Sequence, residues 1–293
     1  MEEREVSLDS ECIELRDGRT VGFADYGAPN QTAVLWCHGG PGSRLEPQAL
    51  APAARDAGLR IIGIDRPGYG HSSPRPRRTI AQWVPDALAV VDHLGIDRFV
   101  TVGVSTGGAY ALALAAKSER VLGVVACCAL TDMRWAEGKA IMTRGGGQIA
   151  DLWNARDRDT ALAIATDTFG ADGSKMMTQA GGPTLPPADM ALLTNPEWLA
   201  GFVGSLREMF AHGVAGYVDD RLADGPGWGS FDVSAIRSPV VVLHGGSDSI
   251  VPVALAQHTA AIVPGATLRV FGQLGHFSII QEVIGAVRQL LGR

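Results

Sequence analysis

A serine stands between two glycines in the stretch VGVSTGGAY, which runs from Val102 to Tyr110. The apolar run before it predicts a buried strand and the residues after it predict a helix, so Ser105 falls at the turn between them. A strand-to-helix turn of this kind holds a serine in a strained conformation and needs small neighbours, which Gly103 and Gly107 supply. The helix N-terminus would favour negative charge beside the hydroxyl oxygen. We predict Ser105 as a nucleophile, although a plain glycine-rich turn also explains the pattern.

A serine hydroxyl is a weak nucleophile and needs a base to take its proton. His276, in the stretch QLGHFS, follows the last predicted strand in a loop that can reach back over Ser105, and we predict it as that base. Asp248, in HGGSDSIVP, follows the penultimate strand and would orient the imidazole and stabilise its cation. Asp132 follows another strand and stays open as the alternative acid, because a turn or a helix N-cap also explains an aspartate there.

Addition of a serine to a carbonyl creates an oxyanion, which fixed backbone donors stabilise. The amide of Thr106, directly after the serine, is one predicted donor. The loop HGGPGS supplies the other, because its glycines let the backbone approach a substrate closely, and we predict the Gly40 amide. His38 precedes this loop and is expected to brace it by hydrogen bonds. A phosphate-binding loop is an alternative, but no Walker lysine follows the glycines.

Short apolar runs alternate with helical stretches along most of the chain. The runs AVLWCH, RIIGIDR, RFVTVGV and VLGVVACCA predict strands that are buried on both faces, and PVVVLHG and ATLRVFG predict two further strands. A hairpin around the turn dipeptide Asp17-Gly18 precedes them. The pattern predicts an α/β fold, a mostly parallel sheet covered by helices. Ligands bind at the carboxyl ends of the strands in such sheets, and Ser105, Asp248 and His276 all follow strands.

The alternation stops between about residues 130 and 234, where helical segments and loops rich in glycine and proline replace the strands. Helices are predicted near residues 157–169, 187–193 and 196–212. We therefore predict a core of residues 1–130 and 235–293 with an inserted helical cap of residues 131–234. Several apolar cap residues are candidates for a substrate pocket or for the cap's own core: Trp135, Met142, Trp153, Met176, Met177, Trp198, Phe202 and Met209.

The 293 residues carry a net charge of −6, and 46 % of them are hydrophobic. Such a composition is typical of a globular protein and argues against nucleic acid or an anionic membrane as the main partner. The basic stretch from Arg75 to Arg78 is predicted to be a solvated loop. Of the four cysteines, Cys127 and Cys128 lie in an apolar run and are predicted to be buried, reduced thiols.

The acidic N-terminal stretch MEEREVSLDS lacks the apolar segment of a signal peptide, and the apolar runs of the chain are too short to span a bilayer. The cysteine spacing suits neither a metal site nor a disulfide framework. We therefore expect a cytoplasmic protein that acts on a small-molecule substrate, without a metal or an organic cofactor. The sequence makes no prediction of its oligomeric state.

Five motifs follow the predicted strands in order: HGGPGS, DRPGYGHS, GVSTGG, HGGSDSIVP and GHFS. Together they resemble the α/β-hydrolase superfamily, and the resemblance extends from the N-terminal hairpin to the last helix. It implies that Ser105, Asp248 and His276 form the family's triad and that Gly40 and Thr106 carry its oxyanion amides. DRPGYGHS is similar to a turn that shapes the floor beside the family's site.

The resemblance implies a serine hydrolase that cleaves a carboxylic ester, or a related lactone or thioester, through an acyl-enzyme. The HGGPG loop is also similar to that of proline iminopeptidases, but those enzymes usually carry a tryptophan where this chain has Thr106. Cap acids for a substrate amine would be Asp219, Asp220 and Glu208, which are expected to lie on a solvated face. A non-catalytic small-molecule receptor, a perhydrolase and a lyase are the further alternatives on this fold.

Overall fold

One eight-stranded sheet organises the chain. The computed structural model describes residues 10–144, 148–178 and 184–292. The strands are β1 (Ser10–Glu14), β2 (Thr20–Asp25), β3 (Thr32–Cys37), β4 (Leu59–Ile64), β5 (Phe99–Val104), β6 (Val121–Cys127), β7 (Val240–Gly245) and β8 (Thr267–Phe271). Their order across the sheet is β1-β2-β4-β3-β5-β6-β7-β8. β2 runs antiparallel to both β1 and β4, and the remaining neighbours are parallel.

The apolar composition of the central strands has a direct structural cause. Every residue of β4, β5 and β7 is buried, since helices cover both faces of the sheet. β8 lies at an edge of the sheet, and Leu268 and Val270 on it are exposed. The predicted hairpin forms between β1 and β2, with Gly18 at a φ of 79° in the turn. The predicted start of the first strand, at residues 5–9, lies outside the described residues.

The helices divide into those that cover the sheet and those of the segment between β6 and β7. The covering helices are α1 (Ala51–Asp56), α2 (Val84–His93), α3 (Gly107–Lys117), α11 (Val253–Ile262) and α12 (Val283–Leu290). α2 and α3 pack in the hydrophobic cluster on one face of the sheet, and α1 and α12 pack in the cluster on the other face. The predicted α/β architecture is confirmed.

A helical segment connects β6 to β7 at the carboxyl edge of the sheet. It contains α4 (Ala136–Thr143), α5 (Gln148–Trp153), α6 (Arg158–Phe169), α7 (Ser174–Thr178), α8 (Pro187–Leu193), α9 (Pro196–Met209) and α10 (Ala215–Asp224). We call residues 131–234 the cap, following the predicted division. α5, α6, α9 and α10 share a hydrophobic cluster of their own, which also includes Tyr69 of the core. Near its end the cap returns to the core, where Trp228 and Phe231 pack beside α3.

Four cap helices are absent from the sequence prediction: α4, α5, α7 and α10. α10 is the most consequential of them, because its charged residues are buried. Asp219 and Asp220 are 2 % and 0 % exposed, so the expectation that they lie on a solvated face is wrong. The predicted solvated loop at residues 75–78 is also wrong in part: Arg78 is buried, and its guanidinium binds the Asp220 carboxylate. Each charge is tolerated inside because it has a partner of opposite sign.

Candidate active site

Ser105 occupies the turn between β5 and α3. Its φ is 52°, in the left-handed region that residues other than glycine rarely adopt. This backbone conformation costs about 1–3 kcal/mol. Hydrogen bonds hold this backbone in place: the Ser105 amide donates to the Cys127 carbonyl at 2.9 Å, and the Ser105 carbonyl accepts from Gly108 and Leu130. The surrounding structure thus stabilises a conformation that presents the side chain beyond the end of the strand.

The two glycines beside Ser105 are required by close packing of the backbone. A Cβ atom on Gly103 would collide with the backbone of Gly107, and one on Gly107 would collide with the Cys37 carbonyl of β3. The helix can therefore begin directly against the sheet only with hydrogen at both positions. This is the physical reason for the glycine spacing around the serine.

His276 and Asp248 are joined by a hydrogen bond. His276 follows β8, Asp248 follows β7, and the distance from His276 Nδ1 to Asp248 Oδ2 is 2.8 Å. The other carboxylate oxygen of Asp248 accepts from the amides of Ile250 and Val251, both at 2.8 Å. These two backbone donors fix the carboxylate, so it in turn holds the imidazole with Nδ1 protonated and Nε2 turned away from it.

Asp132, the alternative acid, has other partners. Its carboxylate accepts from the backbone amides of Arg134 and Trp228, at 3.0 and 2.9 Å, and forms an ion pair with the Arg134 side chain. It therefore stabilises the turn by which the chain enters the cap. These contacts agree with the alternative in which Asp132 stabilises a turn, rather than with a role as the acid that pairs with His276.

Ser105 and His276 line the same cavity, which has a volume of about 120 Å³ and lies between the sheet edge and α9. Among the residues that the structure describes, no hydrogen bond joins the serine hydroxyl to the imidazole. Catalytic hydrogen bonds are often long in the absence of substrate and shorten when it binds. The aromatic side chains of Trp198, Phe202 and Phe277 pack against one another and form an apolar wall of this cavity.

Gly40 lines the cavity, and Thr106 directly follows Ser105, which lines it as well. A Cβ atom on Gly40 would lie 3.0 Å from Thr106 Oγ1, so the two residues are in close contact. Within residues 10–144, 148–178 and 184–292, neither amide donates a hydrogen bond to a protein acceptor. Unpaired backbone donors at a cavity are suited to bind an anionic oxygen. The amide of the preceding residue, Gly39, donates a hydrogen bond to the Glu46 carboxylate at 2.9 Å.

Glu46 is a cavity residue that the sequence analysis missed. Its carboxylate accepts from the Gly39 amide and from the Trp36 indole N–H, the latter at 2.6 Å. Burial raises the pKa of Glu46 to about 7, against the opposite effect of these hydrogen bonds. Glu46 therefore changes its charge near neutral pH, and it lines the same cavity as Ser105.

His276 also faces the buried Cys128, the residue that follows β6. Burial opposes a charge on His276, but the hydrogen-bonded Asp248 carboxylate stabilises the imidazolium and raises its pKa above 6.5. Burial also raises the pKa of the Cys128 thiol, so the thiol stays uncharged at neutral pH. The prediction that Cys127 and Cys128 are buried free thiols is confirmed.

A family model for the alpha/beta hydrolase fold matches residues 32–283 of this sequence. That match covers most of the chain, including the five motifs and the cap. The chain belongs to the α/β-hydrolase family.

The relatives of this α/β-hydrolase are named for different activities. It is 30 % identical to a 2-hydroxymuconate semialdehyde hydrolase of Pseudomonas putida, over 85 % of this chain and 82 % of that protein. It is 32 % identical to a probable proline iminopeptidase of Streptomyces coelicolor, but over only 48 % of this chain and 46 % of that protein. Among solved structures, an enol-lactonase from Burkholderia xenovorans LB400 matches with a TM-score of 0.67, 20 % identity, and coverage of 97 % and 100 %. At 20 % identity, the similarity to the enol-lactonase shows a shared fold and nothing about activity.

The apolar cap residues of this α/β-hydrolase lie in different places. Trp198 and Phe202 line the cavity, whereas Met176 and Met209 pack in the cap's own cluster. The others pack away from the cavity: Trp153 and Met142 beside Leu255, and Trp135 stacked on His258. The side chain of Met177 lies outside the described residues.

His38, His244 and Glu208 each have a partner within the protein. His38 braces the glycine loop as predicted, with Nδ1 2.7 Å from the Gly39 carbonyl oxygen. His244 packs inside the protein, with Nε2 2.8 Å from the Val251 carbonyl oxygen. Glu208 forms an ion pair with Arg44 at 2.7 Å. Like Asp219 and Asp220, it is therefore engaged in the structure rather than grouped to receive a substrate amine.

Asp189 of α8 is a further residue that the sequence analysis missed. It is fully buried, and its Oδ1 accepts from both the amide and the hydroxyl of Ser278, at 2.8 and 2.6 Å. The Ser278 hydroxyl in turn accepts from the Gly275 amide. A cap carboxylate thus holds the loop that carries His276. No pattern in the sequence around Asp189 indicates this contact, because it joins segments about ninety residues apart.

No group of three or more histidine, cysteine, aspartate or glutamate side chains suited to a metal ion occurs within the described ranges. In the same part of the chain, no helix is long and apolar enough to cross a membrane.

Proposed function

We propose that this α/β-hydrolase cleaves a carboxylic ester of a small, apolar substrate through an acyl-enzyme on Ser105. The observation that supports this most strongly is the arrangement of three strand ends. A serine on a strained turn and a histidine bonded to an aspartate at 2.8 Å open onto one cavity. Each component has a role in acyl transfer that its position suits.

In the proposed reaction, His276 Nε2 takes the Ser105 proton as the serine oxygen attacks the carbonyl carbon of the ester. The carbonyl π electrons move to the oxygen, which the Gly40 and Thr106 amides stabilise. When the tetrahedral intermediate collapses, His276 gives the proton to the leaving alkoxide. Water then repeats the sequence with the same base, releasing the acid and regenerating the serine. Asp248 stabilises the imidazolium in both half-reactions.

The lining of the cavity favours a substrate with an apolar acyl or alcohol group. Trp198, Phe202 and Phe277 form one wall, and the aliphatic side chains of Leu206 and Ile250 also line the space. Apolar walls favour a substrate whose own charge is low, because a buried charge without a partner is costly. A lactone or a thioester has the same electrophilic carbonyl and belongs to the same proposal.

Turnover of p-nitrophenyl esters tests this proposal. The purified protein is expected to release p-nitrophenolate from acetyl, butyryl and octanoyl esters and to incorporate one equivalent of a fluorophosphonate at Ser105, which peptide mass spectrometry locates. Absence of turnover with all three esters, with a γ-lactone and with a thioester, together with absence of labelling, would contradict the proposal. Binding of these ligands without turnover is the result expected of a receptor instead.

The pH dependence of ester hydrolysis is a second prediction. His276 must be neutral to act as a base, and its pKa is raised well above 6.5. Activity is therefore expected to be lost as pH falls through the His276 pKa, so the acid limb of kcat/KM should have its midpoint above 6.5. Asp248→Asn removes one cause of the raised pKa and should move that midpoint to lower pH.

His258→Gln is the matched control, since His258 stacks on Trp135 away from the cavity. It should leave the acid limb in place. A midpoint at or below 6.5 in the unmodified protein would contradict the raised pKa of His276.

An aminopeptidase is the second candidate, and Glu46 is the observation that favours it. Its carboxylate lies on the cavity wall near Ser105, where an ammonium group of a substrate would find a partner of opposite charge. The partial similarity to a proline iminopeptidase agrees with this, but Thr106 does not. Proline p-nitroanilide distinguishes the two functions: release of nitroaniline faster than ester hydrolysis, and its loss in Glu46→Gln, would replace the ester proposal.

A further inference from the structure

Two consecutive residues of the cap helix α10 reach the two segments that carry the Gly40 and Thr106 amides. Asp220 and Arg221 are 0 % and 1 % exposed, although both carry ionisable side chains. Asp220 contacts the Gly40 segment through one intermediate residue, and Arg221 contacts Thr106 directly. The cap is therefore connected to both proposed oxyanion donors by buried polar contacts.

The first connection runs from Asp220 through Arg66 to the peptide that carries the Gly40 N–H. Arg66 Nε donates to Asp220 Oδ2 at 2.8 Å, and Arg66 Nη2 donates to the Gly39 carbonyl at 2.8 Å. His38 Nδ1 donates to the same carbonyl. In a trans peptide the C=O and the N–H point in opposite directions. Two donors that hold the Gly39 carbonyl on the buried side therefore direct the Gly40 N–H toward the cavity.

The second connection is direct. Arg221 Nη2 donates a hydrogen bond to Thr106 Oγ1, and the same guanidinium pairs with Asp224 at 2.6 Å. A Cβ atom on Gly40 would lie 3.1 Å from Arg221 Nη2, so the guanidinium sits against both donor residues at once. Fixing the Thr106 side chain restricts rotation of the backbone to which its amide belongs.

The charges of this cluster are arranged in a way that suits an anion in the cavity. The guanidinium groups of Arg66 and Arg221 lie next to the donor segments, and the carboxylates of Asp220 and Asp224 lie behind them. Burial disfavours ionisation of Asp220, but Arg66, Arg78 and Arg221 hold its pKa below the ordinary aspartate range, so it stays charged. Fixed charges in a site shielded from water act over short distances with little screening.

We propose that Asp220 and Arg221 are positioning residues that hold the Gly40 and Thr106 amides in the geometry that binds the oxyanion. This inference rests on the proposed function, because it concerns the same reaction. Neither residue is among those that line the cavity, so both act through Arg66 and Thr106 rather than on the substrate. The cap thereby contributes to the chemical step in addition to shaping the pocket.

The variants Asp220→Asn and Arg221→Met test the proposal, with Asp219→Asn as the matched control. Asp219 is the neighbour on the same helix and is equally buried, but it pairs with Arg158 of α6. Losing one oxyanion donor costs roughly 100-fold to 1000-fold in kcat, so a displaced donor should cost about 10-fold to 100-fold. We expect that loss in kcat for Asp220→Asn and Arg221→Met with KM little changed, and less than 3-fold for Asp219→Asn.

A transition-state analogue separates positioning from a general loss of structure. Affinity for a trifluoromethyl ketone, which forms a tetrahedral adduct with the serine, should fall by the same factor as kcat. Affinity for the matching alcohol, which forms no oxyanion, should stay unchanged in each variant that folds. Far-UV circular dichroism and thermal denaturation show which variants fold.

Thr106→Val and Thr106→Ser supply a second pair, in case the α10 variants unfold. Valine keeps the shape of threonine but removes the acceptor for Arg221, whereas serine keeps that acceptor. Loss of kcat in Thr106→Val with recovery in Thr106→Ser is the expected result. Equal activity in the two variants, or an equal loss in Asp219→Asn and Arg221→Met, would overturn the inference. Absence of ester turnover in the unmodified protein would instead contradict the proposed function itself.

Discussion

Ser105→Ala is expected to reduce ester hydrolysis by about 10⁴-fold to 10⁶-fold, the range found when a serine hydrolase loses its nucleophile. The substitution removes the protein atom that the proposed reaction bonds to the acyl group, so labelling by a fluorophosphonate should disappear as well. Because alanine and serine meet the same backbone strain at a φ of 52°, the melting temperature should change little. Initial rates with p-nitrophenyl butyrate and a thermal melt measure both effects.

Ser118→Ala is the control for this substitution. Ser118 lies at the other end of the same helix, α3, where its hydroxyl accepts from the Arg120 amide. It should retain the full rate. A Ser105→Ala protein that keeps more than a tenth of the activity would show that another group attacks the ester.

Asp248→Asn is expected to lower kcat by about 10⁴-fold, because an amide favours the wrong tautomer of the histidine and cannot stabilise the imidazolium. The asparagine oxygen can still accept from the Ile250 or Val251 amide, so the loop should keep its conformation. The rate loss should therefore greatly exceed any loss of stability. Steady-state kinetics and a denaturation curve on the same preparation compare the two.

Asp132→Asn is the matched comparison, since Asp132 was the alternative acid. Its carboxylate binds Arg134 and the Trp228 amide. We expect this variant to lose less than 10-fold in kcat, with a lower melting temperature because the Arg134 ion pair is weakened. A larger rate loss for Asp132→Asn than for Asp248→Asn would transfer the acid role to Asp132.

The sheet and the residues at its carboxyl edge could be predicted because their signals are local. A strand covered on both faces is a short apolar run, and the polar residue that follows it lies at the edge where ligands bind. Ser105 and Asp248 each follow such a run, and His276 follows the edge strand β8, so the sequence places all three at the carboxyl ends of strands. The hydrogen bond between His276 and Asp248 agrees with that expectation.

The charged interior of the cap could not be predicted from the same kind of signal. In α10 the sequence VDDR places four residues in a row that are all buried, and three of them are charged. Hydrophobic periodicity assigns such a run to the surface. Burial is possible only because Arg66, Arg78 and Arg158 come to the same region from distant parts of the chain. Their partners become visible only in three dimensions.

Glu46 was missed for a related reason. The strand pattern points to acids at strand ends, whereas Glu46 begins a short 3₁₀-helix after the glycine loop. Its partners, Trp36 and the Gly39 amide, lie seven to ten residues before it. The HGGPG loop is therefore followed by a carboxylate that is anchored to the preceding strand, and this carboxylate, like His276, is a titrating group of the cavity wall.

The distribution of thiols has a practical consequence. Cys12 is exposed on β1, at one margin of the sheet, whereas Cys37, Cys127 and Cys128 are buried. Since a thiol must be accessible to react, a maleimide dye should attach to Cys12 alone. β1 is four strands away from β5, or about 19 Å across the sheet, so the dye would leave the cavity free. The native chain thus already carries a single attachment point for a fluorescent dye or for immobilisation.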